Sequence, residues 1–377
     1  MRISLNWLKE YIELGVSPEE LAETMTMLGL EIEAIDRPWK DITEVYIGEI
    51  KSIEPHPDAD KLIVCQTDVG REAPLQIVCG AKNMKVGDRV PTAVVGATLP
   101  EGFRIDARKM RGVQSQGMMC SACELGLGQD HSGLLILDPD APLGADFIKT
   151  FGLDDVILDV EITPNRGDWA SMIGVARELA AAYGVPCKQP DVSLSEGAHQ
   201  ALSLSSVTIE APDLCPRYIG RVLPSLTIGP SPLWMARRLI AAGQRPINNV
   251  VDITNYVLLE TGHPLHAFDY GLLDENRVVV RRAHDGEKIV TIDGESHDLT
   301  TDMLVIADAK RPVAIAGIMG GQESEVGEGT HRVFLEGAYF DPVSVRRTAR
   351  ALNMQTEASA HFQRLSLIHI SEPTRPY

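Results

Sequence analysis

The 377-residue chain has no surplus of basic charge: 35 Lys and Arg stand against 53 Asp and Glu, a formal net charge of -18. That balance argues against a protein that coats nucleic acid indiscriminately. A local basic face can still bind RNA, because screening limits each charge to about 8 Å at physiological salt. Long apolar runs are missing too. No stretch reaches the roughly 20 residues of a membrane span, and Met1-Arg-Ile-Ser-Leu-Asn-Trp-Leu-Lys-Glu10 brings in charge too early for a signal peptide. The cytoplasm is the expected location, with no membrane partner. Gly317-Ile-Met-Gly-Gly321 lacks the Lys-Ser/Thr of a phosphate-binding loop, and no G-x-G-x-x-G follows a strand. The six cysteines show no disulfide rhythm, and Cys120-Ser-Ala-Cys123 is the one pair at metal-ligand spacing. A structural zinc usually draws on two such pairs, so these cysteines are expected to be buried or to form a turn, with no metal bound.

The chain is long enough for two or three domains. Ser17-Pro18-Glu19-Glu20 puts a capping hydroxyl, a first-turn proline and a Glu at N3 before Leu21, Met25 and Leu28, with Gly29 as the stop; a strand is expected over 31–35. From Glu44 the pattern alternates (Val45, Ile47, Ile50, Ile53), with further short strands at 62–64, 75–78 and 90–95 between turn residues, as in a small barrel. Val156-Ile-Leu-Asp-Val-Glu-Ile162 reads as a strand. Asp168 is expected to cap a helix that carries Met172, Val175, Ala176, Leu179 and Ala180 to Gly184. This looks like the missing half of the N-terminal piece, with the barrel inserted between the halves. Residues 186–199 read as a linker. Beyond Leu202 a helix capped at Ser231-Pro232 and ending at Gly243 mixes with strands at 207–210, 277–281, 288–292 and 303–307, an α+β pattern.

Three blocks in the barrel region stand together: Glu54-Pro-His-Pro-Asp-Ala-Asp-Lys-Leu62, Ile77-Val-Cys-Gly-Ala-Lys-Asn83 and Arg111-Gly-Val-Gln-Ser-Gln-Gly-Met-Met-Cys-Ser-Ala-Cys-Glu-Leu-Gly126. In order and spacing they resemble the tRNA-binding OB-fold module of synthetase-associated proteins. Thr163-Pro-Asn-Arg-Gly-Asp168 is joined by Arg245-Pro-Ile-Asn-Asn-Val-Val-Asp-Ile-Thr-Asn-Tyr256, His263-Pro-Leu-His-Ala-Phe-Asp269, Phe334-Leu-Glu-Gly-Ala-Tyr-Phe340 and Thr356-Glu-Ala-Ser-Ala-His-Phe-Gln-Arg364. With these the resemblance narrows to the bacterial phenylalanyl-tRNA synthetase β-subunit family and covers residues 1–364. Leu365-Ser-Leu-Ile-His-Ile-Ser-Glu-Pro-Thr-Arg375 looks like a translated sequencing adapter, so 365–377 is expected to be a non-native tail.

The resemblance implies a multidomain α/β and α+β fold. A discontinuous α/β domain (1–38 plus 150–190) would hold an inserted tRNA-binding OB-fold barrel (39–149), followed by a B3/B4-type editing domain (200–364). It implies an α2β2 enzyme that attaches phenylalanine to its tRNA with ATP and Mg2+. Its synthetic site would lie in the α subunit, and no cofactor is expected on this chain, which would bind phenylalanine tRNA and no DNA. The editing region would hydrolyse mischarged tyrosyl-tRNA(Phe).

By the same resemblance, Glu336 reads the tyrosine hydroxyl, and His266 sits beside the ester, positioning water or substrate. Arg245, Gly320, Thr356 and Ala358 match further pocket positions, with Asn248 and Asn249 behind them. Each has a plainer reading: a packed histidine, a surface ion pair at Glu336, a helix cap at Thr356. Ala360-His-Phe-Gln363 departs from the more charged run usual there. In the barrel, Lys82, Arg108, Lys109 and Arg111 are the RNA-backbone candidates, within a wider basic set of Lys85, Arg89 and Arg104, because basic side chains in an OB groove gain affinity by counterion release. His56 and Asp58 are expected to shape a turn. The rival reading is a non-catalytic tRNA-binding module or assembly factor, which leaves the 245–269 blocks without a role.

Overall fold

The computed structural model describes residues 1–364 apart from Asp130, Glu196, Ala198 and His199. The adapter-like segment from Leu365 lies outside the described residues. Three sheet systems follow one another, α/β, barrel and α+β. In the first, Ile157–Glu161 lies between Arg2–Ser4 and Glu31–Asp36, antiparallel to both. The chain thus leaves this sheet after Asp36, builds the barrel, and returns to fill the central place. Apolar alternation dictates that return: Leu158 and Val160 face a core with Ile3, Trp7, Leu8, Met25, Trp169 and Leu179.

The helix Pro18–Met27 starts where its sequence predicts, with the Ser17 hydroxyl accepting from Glu20 N at 3.1 Å. The expected cap at Asp168 is not observed. Arg166 holds the Asp168 carboxylate at 2.8–3.2 Å in the 3-10 turn Gly167–Trp169, and Ser171 caps the helix Met172–Tyr183 by accepting from Gly174 N at 2.9 Å. An ion pair two residues away outcompetes capping for the same carboxylate.

The barrel is a curled sheet in the order Gly117–Met119, Arg89–Leu99, Thr43–Pro55, Ile63–Asp68, Leu75–Cys79. Its ends approach where Gln116 N donates to Gln76 O at 2.8 Å. Two irregularities in Thr43–Pro55, one against each neighbour, bend the 13-residue strand around the barrel. Close packing inside the barrel needs Gly48: a Cβ there would lie 2.5 Å from Thr92 Oγ1 and 2.8 Å from Thr67 Cγ2.

The third region packs two sheets around one core. The five-stranded sheet runs Ser206–Ile209, Arg277–Arg282, Leu304–Ala307, Pro312–Ile315, Met319–Gly320; the three-stranded sheet runs Arg217–Leu223, Val333–Tyr339, Leu265–Asp269. Val278, Val280, Val305 and Ile315 of the first meet Phe268, Phe334 and Ala338 of the second. The helices Pro342–Ala351 and Glu357–Arg364 close one side through Val345, Ala349 and Phe362.

A helical pair, Leu233–Ala241 and Asn249–Thr261, ties this region to the first: Met235, Leu239 and Leu259 join the N-terminal core. Buried Arg238 ion-pairs with Glu10, donates to Tyr256 Oη at 2.6 Å and lies over the rings of Trp7, Trp234 and Tyr256 at 5.4–5.9 Å. The expected Ser231 cap is absent, because that hydroxyl donates to Asp252. Asp252 is fully buried and also accepts from Ile247 N at 2.8 Å, so the Val-Asp-Ile-Thr-Asn block fixes the loop before its own helix.

Candidate active site and nucleic-acid interface

The central strand of the three-stranded sheet, Val333–Tyr339, turns Phe334, Glu336 and Ala338 toward the core. Register places His266 directly opposite Glu336 on one side and Gly220 on the other. Cross-strand partners on one face stand about 5 Å apart at Cβ. Sheet pairing therefore brings together an imidazole and a carboxyl separated by 70 residues in sequence (336 against 266).

These two groups line a cleft of about 60 Å3 with Pro264, residues 314–320, Ala358 and Phe362. Its opposite wall is a turn that needs its glycines. A Cβ on Gly317 (φ +70°) would press on Phe340, Phe362 and Val345 at 3.0–3.1 Å, and one on Gly320 would lie 2.5 Å from His266 Cε1 and 2.7 Å from Nε2. The imidazole rests on the bare backbone of Gly320 and meets Phe268 edge to face at 4.4 Å.

Burial sets the charge state of both groups. It pushes the Glu336 carboxyl up from 4.5 to about 7, partly countered by a phenol hydrogen bond, and pushes His266 down from 6.5 to about 4. Near neutral pH the cleft thus presents an uncharged imidazole and a carboxyl close to half ionised. The phenol belongs to Tyr218, whose hydroxyl donates to Glu336 Oε2 at 2.6 Å. The sequence reading missed Tyr218; its signal was the inward phase of Arg217–Leu223, where Tyr218, Gly220 and Val222 alternate with exposed residues.

Thr356 stands behind the cleft wall, its hydroxyl donating to Ile318 O at 2.8 Å and accepting from Ser359 N at 3.1 Å. It both fixes the 314–320 turn and starts the helix that carries Ala358 and Phe362 to the cleft. Arg245 is elsewhere, on an exposed loop outside the cleft lining. Asn248 caps Asn249–Thr261 by accepting from Val250 N and Val251 N, and Asn249 bonds Thr227 O and Gly229 N. That helix ends at Gly262, which receives a contact from His361 Nδ1 at 3.1 Å, and runs straight into the His266 strand. Among the described residues no three His, Cys, Asp or Glu side chains converge as a metal site.

In the barrel a groove of about 410 Å3 is lined by Phe103, Arg104, Arg108, Met110 and Glu124, among others. Arg108 lines it, and Lys82 follows groove-lining Ala81; Lys109 and Arg111 lie on the exposed hairpin Arg108–Met110/Val113–Ser115, outside the lining. None of these four has an ion-pair partner among the described residues, whereas Arg89 is neutralised by Glu49 at 3.0 Å. Phe103 and Met110, 49% and 40% exposed, add stacking surface beside the cations. His56 forms the expected turn, accepting from Asp58 N at 3.1 Å while its Nε2 contacts Met110 O at 3.0 Å. The Cys120/Cys123 pair divides: Cys120 is buried, its thiol pushed up to about 12 by desolvation, and Cys123 contacts His131 Nε2 at 3.2 Å.

Two family models match this architecture. Residues 45–146 match a family described as "Putative tRNA binding domain", and residues 214–371 match the B3/4 domain. Most of the chain aligns with the phenylalanine–tRNA ligase β subunit of Moorella thermoacetica at 49% identity, and with that of Anaeromyxobacter dehalogenans at 52%. The chain belongs to the phenylalanine–tRNA ligase β-subunit family. These alignments cover 97% of this chain and 46% and 45% of those proteins, so it spans about half the length of the curated relatives it matches. Within the β-subunit family, then, the groove lies in the tRNA-binding module and the His266–Glu336 cleft in the B3/4 domain. No helix among the described residues is long and apolar enough to cross a membrane.

Proposed function

We propose that this chain is the N-terminal part of a phenylalanine–tRNA ligase β subunit whose B3/4 cleft removes tyrosine from mischarged phenylalanine tRNA. The complete enzyme would be a cytoplasmic α2β2 assembly that charges phenylalanine with ATP and Mg2+ at a site in its α subunit. In domain terms, 1–38 with 150–190 form the discontinuous α/β unit, 39–149 the barrel and 200–364 the editing unit. One observation carries the reading: a single buried carboxyl, Glu336, stands beside the His266 imidazole on one wall of a cleft whose other lining side chains are apolar.

A synthetic pocket shaped for phenylalanine rejects an added hydroxyl by only about a hundredfold, so a second site has to recognise that hydroxyl positively. Glu336 does so by accepting the substrate phenol. A phenylalanyl ring would leave the cleft-facing oxygen of that carboxylate desolvated and without a donor, which costs on the order of 1–3 kcal/mol. His266 orients the water that attacks the ester carbon, and the terminal ribose oxygen leaves with a proton. An imidazole held neutral by burial is a weak base and suits positioning better than proton removal. Gly320 and Ala358 give the aminoacyl group room, Thr356 holds the wall, and Arg245 on its exposed loop would meet RNA.

The test is deacylation of tyrosyl-tRNA(Phe) and phenylalanyl-tRNA(Phe) by the chain. Loss of tyrosine alone supports the reading; no hydrolysis above buffer by a folded chain rejects it. In the barrel, Lys82, Arg108, Lys109 and Arg111 are the proposed backbone contacts. Replacing Arg108, Lys109 and Arg111 together with alanine is expected to weaken tRNA binding and to flatten log K against log salt by about 2–3. Anisotropy titrations between 50 and 200 mM salt, each roughly a standard condition for such slopes, would read this; an unchanged slope removes the hairpin from the interface.

A further inference from the structure

The Glu336 carboxyl has one hydrogen-bond partner among the described residues, the Tyr218 hydroxyl at 2.6 Å. Tyr218 is not part of the cleft lining, so it touches the carboxyl from behind. The sheet is built to let it do so. Tyr218 pairs with Ala338, whose small side chain leaves its ring free to lean toward the neighbouring Glu336, and the adjacent Gly220 yields its space to the Phe334 ring. A buried tyrosine normally finds a partner for its hydroxyl, and here that partner is the one carboxyl facing the cleft.

We propose that Tyr218 is the positioning residue for hydroxyl selection: by pinning Oε2 it presents Oε1 of Glu336 to the incoming phenol. The inference rests on the editing reading above. A carboxylate held at one oxygen cannot rotate to suit a ring lacking a hydroxyl, and a donor on Oε2 favours the charged form that rejects such a ring. The groups facing Glu336 are Tyr218 and His266 on the flanking strands and Cys215 just before the first of them; residues 314–320 contribute no titratable side chain, and Glu357–Arg364 reaches the cleft only with Ala358 and Phe362.

The experiment compares the wild-type chain with Tyr218→Phe, and with 3-fluorotyrosine at position 218 as a nearly isosteric second variant that folds where phenylalanine does not. Two readouts are needed. The Glu336 midpoint, followed by NMR of chain labelled at the glutamate carboxyl carbon, should rise by about one unit in Tyr218→Phe and fall with the more acidic fluorophenol. The tyrosyl-over-phenylalanyl deacylation ratio near pH 7.5 should drop about tenfold in Tyr218→Phe, the loss of one hydrogen bond to a charged group. A purely structural tyrosine would leave the deacylation ratio unchanged in Tyr218→Phe even where the midpoint moves, and that result overturns the proposal. Midpoints that shift as stated in a chain that hydrolyses neither ester would keep the Tyr218–Glu336 coupling and reject the editing reading instead.

Discussion

Replacing Glu336 by alanine is expected to lower kcat/KM for tyrosyl-tRNA(Phe) deacylation by roughly 10- to 150-fold, while phenylalanyl-tRNA(Phe) is hydrolysed no more slowly than before. The figure is the loss of a hydrogen bond to a charged acceptor, about 1.5–3 kcal/mol. Equal losses on both esters would mean that Glu336 serves general architecture and does not read the hydroxyl.

The same carboxyl predicts a pH dependence of known sign. In the fold it keeps its proton up to about 7, against 4.5 unfolded. Its contribution to stability is therefore complete below 4.5 and is lost as pH rises through 7. Glu336→Gln should consequently be more stable than the parent at pH 8, by at most about 3 kcal/mol, and no more stable at pH 4. Discrimination in the parent should weaken as pH falls below 7, because a protonated carboxyl tolerates a phenylalanyl ring. Melting curves and deacylation ratios across pH 4–8, each on the order of one unit apart, would expose a wrong sign.

The second large effect is expected at Gly320. A methyl group there would lie 2.5 Å from His266 Cε1, so the imidazole has to swing away from the wall that now fixes it. Displacing a positioning group by about 1 Å can cost a hundredfold in rate. Gly320→Ala is expected to lose about that much tyrosyl deacylation while its affinity for tRNA through the barrel is unchanged. Activity within a few-fold of the parent would show that His266 does not have to stand where Gly320 holds it.

Much of the local structure was readable from spacing. Alternating Val45, Ile47 and Ile50 became the central barrel strand, and Ser17 capped its helix through the hydroxyl that the pattern singled out. The misreadings share one cause. Asp168 and Ser231 both sit at plausible cap positions, but each found a stronger partner, Arg166 and Asp252. A capping side chain competes with every polar group that folding brings near it, and a sequence window sees only the adjacent ones. The site shows the same division: Glu336 and His266 were legible as members of recurring blocks, while Tyr218, in a plain alternating strand, was not.

By itself the sequence determined where the barrel strands fall along the chain, the family and the residue types available for hydroxyl recognition, since these reside in periodicity and in blocks of neighbouring residues. Tertiary structure alone decided that His266, Glu336 and Tyr218 meet, because a register of antiparallel strands joins residues up to 118 positions apart. It alone decided their protonation as well. The charge of a buried carboxyl or imidazole depends on how much water the surrounding core excludes, and that exclusion exists only after distant segments have packed.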